Sequence, residues 1–265
     1  MAARVAGVVG VRAADEIITA LSLPTAARLD LRVARKALLD SCDFVAADKR
    51  LLTEALQEIT WVAALKPSTC GLRAVDDDRR LIEEVQVLRL RLKAGRHPPR
   101  VVALCHRVVP YPVVLVIEAG ASTSVSLANK RTADGTATGL VLDGVPVTIE
   151  AAAAPWKSAW LASLTMAHSG AADLGALYAA WWCSLVGAAR AQRVAVFAVP
   201  RDAAAAATVL AELEALTDVQ RELKKLQLAM KRETQMALRV ELNAAIHAAT
   251  TDLDDVQRRL LEMHR

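Results

Sequence analysis

Asp78, Glu84 and Gln86 come closest in this sequence to the residue set of a hydrolytic metal site. A PD-(D/E)xK-like nuclease needs an Asp, then an acidic residue and a Lys two positions apart on a strand. The carboxylates hold a divalent cation and the ammonium helps to position the attacking water. Here Asp76, Asp77 and Asp78 precede a strand-like run that Glu84-Val85-Gln86 opens. Gln86 stands where the lysine belongs, and an amide cannot supply its charge. Lys93 comes only seven residues later. In the competing reading the aspartates form a polar turn, and Glu83 and Glu84 are solvated residues at the start of a strand.

Other reactive constellations are weaker. Cys105 and His106 are neighbours on a helix-like segment, so their side chains diverge and a Cys/His dyad is not expected. His168 has Ser163 and Ser169 nearby but no supporting pattern. Neither GxSxG nor a glycine-rich phosphate loop occurs. Cys42, Cys70, Cys105 and Cys183 show no CxxC spacing, which argues against zinc and for isolated buried thiols of a reducing compartment. We expect no cofactor and no metal. A remaining lead is basic: Lys66, Arg89, Arg91, Lys93, Lys130 and Arg131, with Lys36 and Arg50, would line one sheet face. Arg89, Arg91 and Lys93 share a strand face by period two. Such a strip can track a phosphate backbone, or simply be solvated.

The elements that must position these groups follow from periodicity. Residues 11–22 repeat on a helical spacing, with Ile17, Ile18 and Leu21 on one stripe before Pro24. Asp48 to Leu65 also reads as a helix, through Leu51, Leu52, Ala55, Leu56, Ile59 and Val62, ended by Lys66-Pro67. Thr69 to Asp78 reads as a loop. Residues 85–92 alternate on period two, a strand with one wet face. A helix over 100–109, a buried strand over 113–117 and a strand over 123–128 follow. Asp134-Gly135 and Asp143-Gly144 are hairpin signals that place two short strands in 139–150. A helix spans roughly 171–190, and Val194 to Val199 reads as a last strand. Strands 85–92 and 113–117 around a helix form a βαβ unit.

The fold class is therefore α/β of the α+β kind: a mixed sheet with packed helices, followed by a long coiled-coil-like C-terminal helix or helical hairpin. Residues 1–200 form the body, with 1–80 mainly helical, 81–150 mainly strands, and 151–200 a helix plus the last strand. Residues 201–265 form an amphipathic tail without Gly or Pro. Val209, Leu213, Leu216, Val219, Leu223, Leu226 and Met230 make one heptad stripe. Leu242, Ile246, Ala249, Leu253, Val256, Leu260 and Met263 make another, out of phase with the first across Lys231–Leu238. Such a break is a stutter in one helix or the joint of a hairpin.

The 265 residues suffice for a substantial core, although aromatics supply only 3% of them, so that core rests on aliphatic contacts. The net charge of +4 is small, and the stretch from Val209 onward is near neutral, so charge alone does not argue for nucleic acid. No signal peptide is evident, and no run reaches the ~20 apolar residues of a membrane span. A cytoplasmic protein without membrane association is expected.

Several ordered motifs carry a family resemblance. Asp48-Lys49, Ile59-Thr60-Trp61 and Leu65-Lys66-Pro67-Ser68-Thr69 are followed by Glu84-Val85-Gln86-Val87. Then come Val109-Pro110-Tyr111-Pro112-Val113-Val114-Leu115 and Lys130. Glu233-Thr234-Gln235 and Arg239-Val240-Glu241-Leu242-Asn243 close the series. Together they resemble a bacterial family known as domain of unknown function 4391. The region 151–210 matches poorly apart from Leu174-Gly175-Ala176-Leu177-Tyr178, and Met236 stands where the family has an aromatic. The resemblance implies no established activity. Its members are similar to proteins encoded beside helicases and DNA methyltransferases in restriction-like or phage-defence gene sets.

The expected function is accordingly a non-enzymatic accessory subunit of a nucleic-acid-processing or phage-defence system. Its partner would be a protein, such as a helicase or DNA methyltransferase, with nucleic-acid contact and homo-oligomerisation through the C-terminal helix as further options. The alternatives are a divergent metal-dependent nuclease built on Asp78, Glu84 and Gln86, and a toxin/antitoxin-like regulator. Glu233, Gln235, Arg239, Glu241 and Asn243 lie where the two stripes meet. Polar groups at such a joint would fix register or bind a partner.

Overall fold

The computed structural model describes residues 13–34, 36, 44–77, 80–93, 99–132 and 140–263. They separate into two compact units, residues 1–185 and 186–265. In chain order the first unit holds helix α1 (residues 13–20), β1 (Arg28–Val33), α2 (Ala46–Ala55), β2 (Leu56–Leu65), α3 (Pro67–Cys70), β3 (Val75–Asp77), β4 (Arg80–Ile82) and β5 (Val85–Leu92). It continues with α4 (Pro99–Val108), β6 (Val113–Ala119), β7 (Ser122–Leu127), β8 (Lys130–Thr132), β9 (Leu140–Leu142), β10 (Val147–Glu150) and α5 (Lys157–Ser163). Helix α6 (Leu174–Val194) runs from the first unit into the second, which ends in α7 (Ala203–Arg232) and α8 (Met236–Glu262).

The main sheet has six strands in the order β1-β2-β5-β6-β7-β10. Every neighbouring pair is antiparallel except β5 and β6, which run parallel with α4 as the crossover between them. This is the mixed sheet with packed helices that the alternating pattern implies. One face carries Leu88, Leu90 and Leu92 of β5, Leu115 and Ile117 of β6 and Ile59 of β2. They are buried in one cluster with Leu52, Val101, Leu104 and Val108 from α2 and α4. Period two sends Val85, Val87, Arg89 and Arg91 to the opposite face.

Three sequence expectations fail. Leu56–Leu65 is the second strand of the sheet and not the end of a helix. Its β-branched and aromatic stretch Ile59-Thr60-Trp61-Val62 finds ladder partners on both sides, in β1 and β5, and central pairing outweighs a marginal helical stripe. Val194–Val199 is not a strand. Helix α6 continues to Val194, the chain turns at Ala195 with φ 59°, and the carbonyl of Ala198 accepts a hydrogen bond from Arg190 Nη2 at 3.3 Å. The segment thus lies along α6, and its backbone is bonded to a side chain there. The loop expected over residues 69–78 contains part of α3 and then β3. Residues 95–98, Asp134-Gly135, Cys42 and Asp78 lie outside the described residues.

In the second unit the heptad stripes resolve into a helical hairpin. α7 ends at Arg232 and α8 begins at Met236. Arg259 reaches Glu212 across the pair at 2.9–3.1 Å, which sets the helices antiparallel. Val209 and Leu216 of α7 and Val256 and Leu260 of α8 are buried. Among the described residues no helix is long and apolar enough to cross a membrane.

Candidate functional site

Most of the motif residues of the first unit converge where β2 ends and β5 and β6 begin. Pairing fixes the place: Leu65 lies opposite Val85, Ala64 opposite Gln86, and Gln86 opposite Val113. Pro67 starts the one-turn helix α3, where its missing N–H costs nothing. Thr69 Oγ1 accepts from the Lys66 N–H at 2.9 Å and lies 3.1 Å from the Ala64 carbonyl. Gly71 then reverses the chain at φ 74°, a conformation that carries little cost only for glycine. The motif Lys66-Pro67-Ser68-Thr69 is thus a device that ends a strand and holds the turn against it.

Glu84 is buried just ahead of β5. Lys66 Nζ approaches its Oε2 at 3.1 Å, and Gln86 Nε2 donates to its Oε1 at 3.0 Å. Buried carboxylates need such partners. The hydrogen bond to Glu84 raises the Lys66 pKa above the usual lysine value, and the charge of Glu84 adds to it. Gln86 also donates its backbone N–H to the Pro112 carbonyl at 2.9 Å, which joins β5 to the Pro110-Tyr111-Pro112 segment.

Lys130, at the start of β8, closes the cluster from the other side. Its Nζ donates to the Tyr111 carbonyl at 2.6 Å and to the Val109 carbonyl. Proline-flanked carbonyls have no ladder partner here, and the ammonium satisfies two of them. Burial pulls the Lys130 pKa down to about 7. Tyr178 of α6 bridges the same strand ends: its hydroxyl lies 2.9 Å from the Ala128 carbonyl and 3.2 Å from that of Val113, and accepts from the Ala128 N–H at 3.1 Å.

Behind these residues a polar chain runs inward from the exposed Thr148. Thr148 Oγ1 donates to Ser126 Oγ at 2.9 Å, and Ser126 Oγ is 3.0 Å from His106 Nε2. His106 and Ser126 are fully buried. Desolvation, and then the charge of Lys130, push the His106 pKa down to about 3. Cys105, its neighbour, is pushed up to about 12 by burial. The ring of His106 thus faces a serine, and no Cys/His pair forms.

A family model described as a domain of unknown function (DUF4391) matches residues 21–253. The chain belongs to this family. No curated protein and no solved structure matches it. The match runs from just before β1 into α8, so the hairpin is part of what the family model covers. The DUF4391 motifs noted in the first unit are therefore found, in three dimensions, largely at one end of its sheet.

The other candidate residues lie elsewhere. Arg89 and Arg91 are on the opposite sheet face, each held by carboxylates. Arg89 grips Glu118 through Nε at 2.7 Å and Nη2 at 2.9 Å, and reaches Asp15 through Nη1 at 2.9 Å. Arg91 Nη1 pairs with Glu58 at 2.8 Å. The face read as wet is thus partly covered and internally neutralised. Lys93 and Arg131 are exposed, Lys93 beyond the end of β5 and Arg131 on β8. Of the nuclease set, Glu84 and Gln86 are bonded to one another, and Asp78 lies outside the described residues. Among the described residues no cluster of three or more His, Cys, Asp or Glu is arranged to hold a metal ion. Sequence reasoning missed Glu118, Asp15, Glu58 and Ser126, and weighed His106 only as a partner for Cys105. Glu118 had a signal: a lone carboxylate inside Val113–Ala119, an otherwise apolar strand, must find a cation.

The tail motif falls at the joint of the hairpin. Glu233 ends α7, and its Oε1 accepts from the Thr234 and Gln235 N–H groups at 2.8 and 2.7 Å. Gln235 is the residue before the first turn of α8. Arg239, Glu241 and Asn243 are exposed on α8.

Proposed function

We propose that the protein is a non-enzymatic accessory subunit of a nucleic-acid-processing or phage-defence assembly, and that the α7–α8 hairpin is the element that docks it to a partner protein. One observation carries this reading. Around the joint the hairpin leaves large apolar side chains in water: Leu228 is 45% exposed, Leu238 39%, Val240 64% and Met236 77%. Farther from the joint the same two helices bury Val209, Leu216, Val256 and Leu260. A helical pair that can bury one end of its stripe but exposes the other has apolar surface to offer a third helix. Lys224, Lys231, Arg232 and Arg239 are also exposed near the joint, which favours a partner with acidic residues around an apolar centre. The choice of system follows the family resemblance to proteins encoded beside helicases and methyltransferases.

The test is co-expression of the full chain with the products of the genes flanking its own. Met236→Asp and Val240→Asp change exposed residues, so they should alter stability by no more than about 0.5 kcal/mol. They should abolish co-purification while leaving thermal unfolding in place. Undiminished co-purification of both variants would remove the docking role.

A further inference from the structure

We infer that the face of the sheet formed by β1, β2 and β5 carries a binding site for a single phosphoryl group. This concerns the first unit alone and does not rest on the hairpin reading, so the two fail separately. A cavity of about 170 Å³ opens there, lined by Arg28, Arg89, Arg91, Thr60, Asp15 and Asp30 among others. It is smaller than the ~300–1,000 Å³ of sites that enclose whole small molecules. The space suits one charged group at the end of a larger ligand.

The guanidinium groups are set in place by carboxylates of unequal standing. Glu118 is almost fully buried and holds Arg89 through Nε and Nη2, in the two-point geometry that orients a guanidinium most firmly. The remaining nitrogen, Nη1, is turned toward Asp15 of α1. Arg91 is anchored by Glu58, whose side chain is 28% exposed. Arg28 stands on the bulged part of β1, where the register shifts between Arg28 and Leu31 and Asp30 takes φ 49°. A bulge of this kind re-aims the side chains around it. Thr60, beside Arg89 in the ladder, adds a hydroxyl.

Asp15 and Asp30 differ from the anchors. Each is 56% exposed, and each meets its arginine at the cavity. Exposed ion pairs contribute little and open readily. The cavity wall thus carries three arginines and two loosely held aspartates, with Glu118 and Glu58 already compensating Arg89 and Arg91 from outside it, so an anion binds here only in place of an aspartate, and Asp15 occupies that place. A carboxylate offers two oxygens and one charge. A terminal phosphate offers three oxygens and up to two charges, enough to accept from Arg89 Nη1 and from the guanidinium groups of Arg28 and Arg91 together. It would displace Asp15 while Glu118 kept Arg89 oriented.

The experiment titrates the full chain with inorganic phosphate at constant ionic strength, with chloride as the reference anion, following the arginine side-chain Nε–H signals by NMR. Saturable shifts are expected with phosphate and not with chloride. Asp15→Asn removes the internal competitor and should tighten binding about two- to fivefold. Arg28→Gln should weaken it about fivefold or more. Both are surface substitutions, chosen because replacing Arg89 would strand Glu118. A 5′-phosphorylated oligonucleotide and its 5′-hydroxyl counterpart separate the ligand sources. Preference for the phosphorylated strand assigns the site to nucleic-acid ends, and equal behaviour beside phosphate binding assigns it to a small phosphate or phosphate ester. The inference is overturned if neither the wild type nor Asp15→Asn shows saturable phosphate shifts, if chloride reproduces them, if Asp15→Asn fails to tighten binding, or if Arg28→Gln binds as the wild type does.

Discussion

His106 should make the protein acid-sensitive well above the range in which carboxylates titrate. Its ring is fully buried and meets Ser126 at 3.0 Å through Nε2, while its Nδ1 has no hydrogen-bond partner. Burial, reinforced by the Lys130 charge, holds its pKa at about 3, against about 6.5 in an unfolded chain. Between those two values the unfolded chain binds a proton that the native ring refuses. Stability therefore falls as pH falls below about 6.5, and goes on falling toward pH 3. From pH 7 to pH 5 the unfolded histidine takes up most of a proton and the native one almost none, which integrates to about 2 kcal/mol. That figure holds as long as the native pKa stays well under 5. The assay is urea unfolding at pH 7 and pH 5 for the wild type and for His106→Gln. The amide can still meet Ser126 but does not titrate, so comparison with the variant cancels the contribution of the carboxylates. The wild type should lose about 2 kcal/mol more than the variant across that interval. Equal losses in the two proteins would mean that the ring protonates in the native state, and the reasoning would fail.

Two further predictions concern partnered charges. Arg89→Gln leaves the Glu118 carboxylate, 6% exposed, without its two-point partner, and should cost about 2–4 kcal/mol in thermal or urea unfolding; adding Glu118→Gln should recover much of that, and a double variant as unstable as the single one would contradict the pairing. Glu233→Ala removes the carboxylate that accepts from the Thr234 and Gln235 N–H groups and should destabilise the joint between α7 and α8 by about 1 kcal/mol, seen as faster exchange of the Thr234 and Gln235 amides and not of those in the middle of either helix.

How far the fold could be read depended on where tertiary pairing overrode local pattern. β5, α4, β6 and β7 were legible because their patterns are plain: alternation of Leu88, Leu90 and Leu92 with Arg89 and Arg91 in β5, a continuous apolar run from Val113, an amphipathic segment between. β2 was not. Helix α2 ends at Ala55 and β2 begins at Leu56 with no glycine or proline between them. The apolar residues on either side of that boundary continue a helical stripe that the chain abandons. A short apolar run of this kind is ambiguous by period alone, and ladder partners far away in sequence decide it. β1 was missed although Arg28–Val33 alternates polar and apolar residues without a break: the run is only six residues long, and on a bulged edge strand its apolar members Leu29 and Leu31 stay exposed instead of facing the core. Val194–Val199 erred in the other direction, having the composition of a strand but no neighbouring strand to join.

The candidate site was legible as residues but not as geometry, and the difference bears on what the motifs mean. Lys66, Glu84, Gln86 and Lys130 looked like material for a basic or catalytic surface, and Thr69 was only a motif residue beside them. In the fold their polar atoms are directed at backbone and at one another: Thr69 holds the end of β2, Gln86 and Lys66 hold Glu84, and Lys130 holds two carbonyls of the proline-rich turn. Ammonium and carboxylate groups engaged in this way are poorly placed to coordinate a ligand without first releasing the strand ends. Substituting them should therefore be felt first as lost stability. Arg28, Asp15 and Asp30 at the cavity, and Met236 and Val240 at the hairpin joint, have no such duty, since their exposed side chains can move at little cost. Positions of that kind are where function can be altered without unfolding the protein, and of these only Val240 falls among the motif residues that carry the family resemblance.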